Sequence, residues 1–144
     1  MFAMGPWLTD RPIDVGRLLA EVASAGRGGT VLFLGTVRRS DEDGDIAALE
    51  YSAYEAMAEA ELGRIVAEAA ARWPAARVAL RHRVGLVALG EASVAIVTAA
   101  PHRAEAYAAS RFVIEETKRR APIWKKERLV SGQSRWVEGQ TGGG

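Results

Sequence analysis

Apolar and polar positions follow one another along the chain with a period that changes several times, and each change marks an element. After an entry segment at 7–9, Asp14 precedes Val15, Leu18, Leu19 and Val22, an i, i+3, i+4, i+7 stripe that predicts a short amphipathic helix capped by Asp14. Gly26, Gly28 and Gly29 end it. The run TVLFLGTV at 30–37 is β-branched and nearly all apolar, which predicts a buried strand. The polar turn SDEDGD, with Gly44 at its tip, separates it from a second run at 46–52, so the pattern predicts a hairpin with Arg38 and Arg39 at its mouth. Between 55 and 73, Ala58, Leu62, Ile65, Val66, Ala69 and Trp73 share one helical face, and Pro74 stops that helix. Runs at 78–84, 85–90 and 93–99 read as strands punctuated by glycine.

Pro101 stands where a first helical turn tolerates proline. The helix it opens should end near Arg120, because Pro122 lacks an N–H and drives Ala121 out of the α region. An extended run at 123–130, a turn at Ser131-Gly132 and a short strand at 134–138 follow. Short links favour hairpins, so the pattern predicts an α+β domain with a mostly antiparallel sheet, three main helices and the helices on one side. Residues 1–138 are expected to form one domain and 139–144 a flexible glycine-rich tail.

Composition narrows the function. With 144 residues, 49% hydrophobic and 26% charged, the chain suits one globular domain, and no run approaches the roughly 20 apolar residues of a membrane span. The start, MFAMGPWLTD, lacks the pattern of a secretory signal, so a cytoplasmic setting is expected. The absence of cysteine excludes disulfides, thiolate metal sites and a cysteine nucleophile. His82 and His102 are the only histidines and have no metal-ligand spacing, so no metal site is expected. The net charge of +1 gives little drive toward nucleic acid, whereas basic residues outnumber acidic ones between 101 and 128. A small anionic ligand fits that local excess.

Candidate chemistry gathers in RFVIEETKRRAPIWKKE at 111–127. Tyr107, Ile114 and Lys118 recur at helical spacing, which places Lys118 on the continuation of an apolar stripe. In the strand after Pro122, alternation puts Lys125 and Glu127 on the face opposite Trp124 and Lys126. Lys118 and Lys125 are therefore expected to converge from a helix end and a strand onto one pocket. The same cations, with Arg119 and Arg120, would also serve simply to solvate a helix terminus. Gly35-Thr36-Val37-Arg38 at a strand exit and His102-Arg103 at a helix N-terminus are further places for an anion. His82, within RVALRHRV, reads as a cross-strand surface residue and is left out of the site.

Several of these segments together resemble one family. FLGTVR at 33–38, LEYSAYEAMAEAEL at 49–62, HRVG at 82–85, VTAAPHR ending at Arg103, and KRRAPIWKKE at 118–127 are similar to the large, catalytic subunit of molybdopterin synthase, in order and at the expected spacing. The resemblance implies an α/β hammerhead fold and a sulfurtransferase of molybdenum cofactor biosynthesis. In that family, cyclic pyranopterin monophosphate receives two sulfurs and becomes the dithiolene molybdopterin. The sulfur arrives as a thiocarboxylate on the C-terminal Gly-Gly of a small ubiquitin-like subunit, and a homodimer of large subunits sits within a heterotetramer. No cofactor is implied. Carried over by motif, Lys118 and Lys125 are the catalytic residues facing the thiocarboxylate. Thr36, Val37, Arg38, His102 and Arg103 line the anionic substrate pocket, and Lys126 and Glu127 complete its strand side. Two rivals belong to other classes: a noncatalytic binding module for a small anion, which would not need Lys118, and an RNA-binding sheet, which should expose stacked aromatics where these strands carry mainly Val, Leu, Ile and Ala.

Overall fold

The computed structural model describes residues 6–39 and 45–137. In chain order the elements are β1 (Leu8–Thr9), α1 (Val15–Val22), β2 (Gly29–Thr36), β3 (Ile46–Ala53), α2 (Glu55–Arg72), β4 (Arg77–Arg83), β5 (Gly85–Ala88), β6 (Ala92–Ala100), α3 (Arg103–Arg120), β7 (Ile123–Leu129) and β8 (Ser134–Trp136). Local expectations are met closely. Asp14 caps α1 by accepting from the Arg17 amide at 3.1 Å. α2 buries Ala58, Leu62, Ile65 and Ala69, the face its periodicity marked. α3 ends at Arg120, and Ala121 before Pro122 adopts an extended ψ of 130°.

Pairing between distant segments differs from the sequence expectation. Among the described residues the strands form two four-stranded sheets, one ordered β1-β4-β6-β2 and the other β5-β3-β7-β8. Apart from the short parallel β1–β4 pair, every pairing is antiparallel. The hairpin predicted from 30–37 and 46–52 does not form: β2 pairs with β6, while β3 joins the other sheet between β5 and β7. A polar turn between two apolar runs allows a hairpin but does not fix the partner. The last predicted strand is described as far as Trp136, with Glu138 and the glycine-rich end outside the described residues.

The helices also lie on both faces of the first sheet, not on one side. Leu18 and Val22 of α1 pack with Ala79, Ala95, Val97 and Ala99. Leu80, Val94 and Ile96, on the alternate positions, pack with Leu62 and Ile65 of α2 and Val113 of α3. Double coverage explains why β6 reads as a continuous apolar run rather than an alternating one. Trp73 and Phe112 meet edge-on at 5.7 Å between α2 and α3. Among the described residues no helix is long and apolar enough to cross a membrane.

Candidate active site

Two lysines converge where the sheets meet the end of α3. The buried stripe of α3 is Ala106, Ala109, Ser110, Val113 and Thr117. Lys118 borders it at the last turn and is half-buried. Tyr107, expected on the same stripe, lies one step round the helix and is 63% exposed. Beyond Pro122 the chain enters β7, where Ile123 and Glu127 are buried on one face. Lys125 shares that face, and its direct cross-strand partner is the buried Tyr51 of β3. The alternation expected from sequence therefore holds.

The electrostatics follow from this placement. Burial first, and then the Lys125 ammonium, bring Lys118 down from 10.5 to about 8. Lys125 is lowered too, foremost by burial; the Glu127 carboxylate opposes that shift and the Arg38 guanidinium adds to it. Arg38 thus acts on Lys125 from the end of β2. The register of β2 on β6 shifts between Gly35 and Thr36. A Cβ at Gly35 would stand 2.7 Å from Val94 Cγ1, so only glycine allows this close approach. Val37 follows with its side chain in the core, its amide donating to the Glu91 carbonyl at 2.9 Å and its carbonyl accepting from Gly90 at 2.7 Å. That anchor leaves Thr36 and Arg38 exposed on either side of it.

Lys118, Lys125, Arg38, Thr36, the Val37 backbone and Glu127 are thus gathered by three segments. Glu127 accepts from Arg135 Nε at 2.5 Å, which ties β7 to β8. Lys126 is turned to the other face, where its ammonium lies 4.3 Å from the centre of the Trp136 ring, so it does not line the pocket. His102 and Arg103 are exposed at the opposite end of α3 from Lys118, about 22 Å away at 1.5 Å per residue. A Cβ at Gly29 would touch the Arg103 backbone at 3.1 Å, so the pair sits at the start of β2 whereas Arg38 lies past its end. Within one chain the expected single pocket of Arg38, His102 and Arg103 does not assemble. The start of α3 lies at the start of β2, so His102-Arg103 and Arg38 fall at opposite ends of that strand.

The basic cluster itself divides by direction. Arg119 is exposed and pairs with Glu116 at 2.5 Å. Arg120 turns to α2, donating to Glu61 at 2.7 Å and to both oxygens of Glu68 at 2.8 and 2.9 Å. It clamps two helices rather than solvating a terminus. His82, set aside in the sequence reading, is buried at 3% exposure with its ring 5.3 Å from that of Tyr51. The signal was present: Val78, Leu80 and His82 share one period-2 face, and the first two are apolar.

Comparison with known proteins bears on the family and the fold. The family model described as MoaE protein matches residues 8–120. A molybdopterin synthase catalytic subunit from Aspergillus niger is 42% identical over 129 residues, covering 90% of this chain and 72% of that protein. The crystal structure of molybdopterin synthase from Staphylococcus aureus superposes with a TM-score of 0.88 at 32% identity, covering 95% of this chain and all of that one. A chain from the complex of subunits 1 and 2 of molybdopterin-converting factor from Helicobacter pylori has the same fold, with a TM-score of 0.77 at 24% identity over 92% of this chain and 89% of that one.

Proposed function

The chain belongs to the MoaE protein family, with the catalytic subunits of molybdopterin synthase among its relatives, and we propose that it transfers sulfur to cyclic pyranopterin monophosphate to make the dithiolene of molybdopterin. The observation that carries this reading is the convergence of Lys118 and Lys125, both half-buried and both lowered, beside Arg38. The chain has no cysteine, so no thiol of its own can carry the sulfur. The donor is the thiocarboxylate at the C-terminal Gly-Gly of a small ubiquitin-like partner. Its sulfur attacks an electrophilic pterin carbon and displaces an oxygen that needs a proton, and water then cleaves the thioester so formed, leaving the sulfur on the pterin side and returning the partner's C-terminus as a carboxylate. Lys118, at about 8, supplies that proton as an ammonium and takes one back as an amine near neutral pH. Lys125 holds the incoming carboxyl terminus, and Arg38 with the exposed Thr36 holds the phosphate side of the precursor. Glu127 keeps Lys125 in place, and Lys126 is outside the pocket.

His102 and Arg103 enter from a second copy of the chain. β2 is an edge of its sheet among the described residues, and Leu32 and Leu34 on it are each 41% exposed. Antiparallel alignment of two such edges sets the start of one strand, with its His102-Arg103, against the end of the other, with its Arg38. The span to be matched is the length of β2, about 23 Å at 3.3 Å per residue. The functional unit is then a homodimer of this chain carrying two small partners, in the cytoplasmic setting expected from the sequence.

Incubation with the precursor and a thiocarboxylated small partner tests the reading, with the dithiolene product detected directly. Product is expected with the partner and not with the chain alone. Conversion by free sulfide as fast as by the thiocarboxylated partner would refute it.

A further inference from the structure

Arg83 and Glu91 stand at the neck of an excursion between the two sheets. The chain leaves the first sheet at Arg83, the last residue of β4, lends β5 to the second sheet beside β3, and re-enters the first sheet at Ala92. Arg83 is only 6% exposed. Its Nη2 donates to the Leu86 carbonyl at 3.2 Å, and its Nη1 faces Glu91 Oε1 at 3.5 Å across the neck. That same oxygen accepts from the Ala88 amide at 2.8 Å, and the Glu91 amide donates back to the Ala88 carbonyl at 2.9 Å. Gly90, at a φ of 87°, makes the left-handed step within this turn.

The turn so fixed grips the exit of β2. The Glu91 carbonyl accepts from the Val37 amide at 2.9 Å, and the Gly90 amide donates to the Val37 carbonyl at 2.7 Å, so the turn holds both backbone groups of Val37. The Leu89 amide donates to the Ala47 carbonyl at 3.1 Å, which ties the same turn to β3. Thr36 and Arg38 are exposed on either side of Val37. A continuous path therefore runs from the buried guanidinium to the Glu91 carboxylate, from the Glu91 backbone to Val37, and through one peptide bond to Arg38.

Stability does not account for the pair. Nε and Nη1 of Arg83 are buried and make no hydrogen bond among the described residues. A buried charge with two open donors holds a fold together less well than an apolar side chain of similar length. What the charge does is face the carboxylate that closes the turn.

We propose that Arg83 and Glu91 are positioning residues for the anion site: their pairing fixes the 88–91 turn, and the grip of that turn on Val37 sets the direction in which Thr36 and Arg38 meet the phosphate side of the precursor. This role rests on the reading of Arg38 as a phosphate-holding group.

The test pairs amide hydrogen exchange with steady-state kinetics in the full chain. Arg83→Met keeps the length of the side chain and removes the guanidinium; Glu91→Gln keeps an oxygen for the Ala88 amide and removes the charge. In each, exchange at the Val37 and Gly90 amides is expected to quicken roughly tenfold, while the Ile96 amide in the middle of β6 does not quicken. With saturating thiocarboxylated partner, KM for the precursor should rise roughly tenfold and kcat stay within about twofold. The double variant should be no worse than either single one, because the two side chains act as a unit. If Arg83→Met does not fold, Glu91→Gln decides alone, since its side chain is 45% exposed. Unchanged exchange at Val37 and Gly90 in a folded variant overturns the proposal. Faster exchange that extends to Ile96 marks a merely structural role and overturns it too, as does an unchanged KM where Arg38→Ala raises KM. Arg38→Ala without effect on KM instead refutes the phosphate reading of Arg38, and exchange at Val37 and Gly90 still decides whether the pair holds the turn.

Discussion

Lys118→Met is expected to abolish the reaction and to stabilise the fold. In the folded chain the amine loses its proton near 8, and in the unfolded chain near 10.5. At about 1.4 kcal/mol per pH unit, that gap sets an upper bound of about 3.5 kcal/mol on what keeping Lys118 charged costs the native state. The sign follows from proton counts. Between 8 and 10.5 the unfolded chain binds more protons than the folded one, so stability rises with pH through that window, and below it the cost stands in full. Methionine has comparable length, a good helix propensity and no charge to bury. The variant should therefore gain about 1 to 3 kcal/mol at pH 7, with the gain shrinking toward zero as pH approaches 10.5. Urea unfolding of both proteins at pH 7 and pH 10, with slopes compared, measures this. A variant no more stable than its parent at pH 7, or a difference that stays constant between the two pH values, would refute the argument from burial.

Other expectations concern the anion and the turn that presents it. Arg38→Ala and Arg103→Ala should each weaken precursor binding by roughly 1.5 to 3 kcal/mol with normal melting, since both side chains are exposed; calorimetric titration at unchanged affinity would remove them from the pocket. If Arg103 acts from the second copy, mixing Lys118→Ala and Arg103→Ala chains, at a precursor concentration too low for the Arg103→Ala dimer to bind it, should restore activity to about a quarter of wild type, because half of the dimers are mixed and each has one intact site. No recovery in dimers shown to exchange would place both residues in the same chain's site. Gly35→Ala should cost about 1 to 3 kcal/mol in thermal unfolding, because the new methyl meets Val94 Cγ1 at 2.7 Å, and should also raise KM by moving Thr36 and Arg38.

What the sequence revealed was local. The Asp14 cap, the α2 stripe, the stop at Pro122 and the alternation through Lys125 and Glu127 all depend on residues within a few positions of one another. Pairing of β2 with β6 instead of β3 depends on register across the molecule, which no run of apolar residues specifies. The buried face of α3 consists of Ala106, Ala109, Ser110, Val113 and Thr117, mostly small or polar, so hydrophobicity pointed one step round to Tyr107 and Ile114. Lys118 still fell at the edge of the buried stripe because the two faces are neighbours. The distance between Arg103 and Lys118 was legible from the helix length alone, since 15 residues span about 22 Å. Grouping the motifs by chemistry obscured it. His82 was hidden by the arginines on either side, which belong to the opposite face of its strand.

The most direct measurement compares Lys118→Ala with Arg119→Ala in single-turnover assays at saturating thiocarboxylated partner. The two residues are adjacent at the end of α3, yet Lys118 is half-buried beside Lys125 and Arg119 is exposed with Glu116. Lys118→Ala should lose most product formation while folding normally and still binding the small partner, and Arg119→Ala should remain close to wild type. Normal turnover by Lys118→Ala, or a dead but folded Arg119→Ala, would contradict the account.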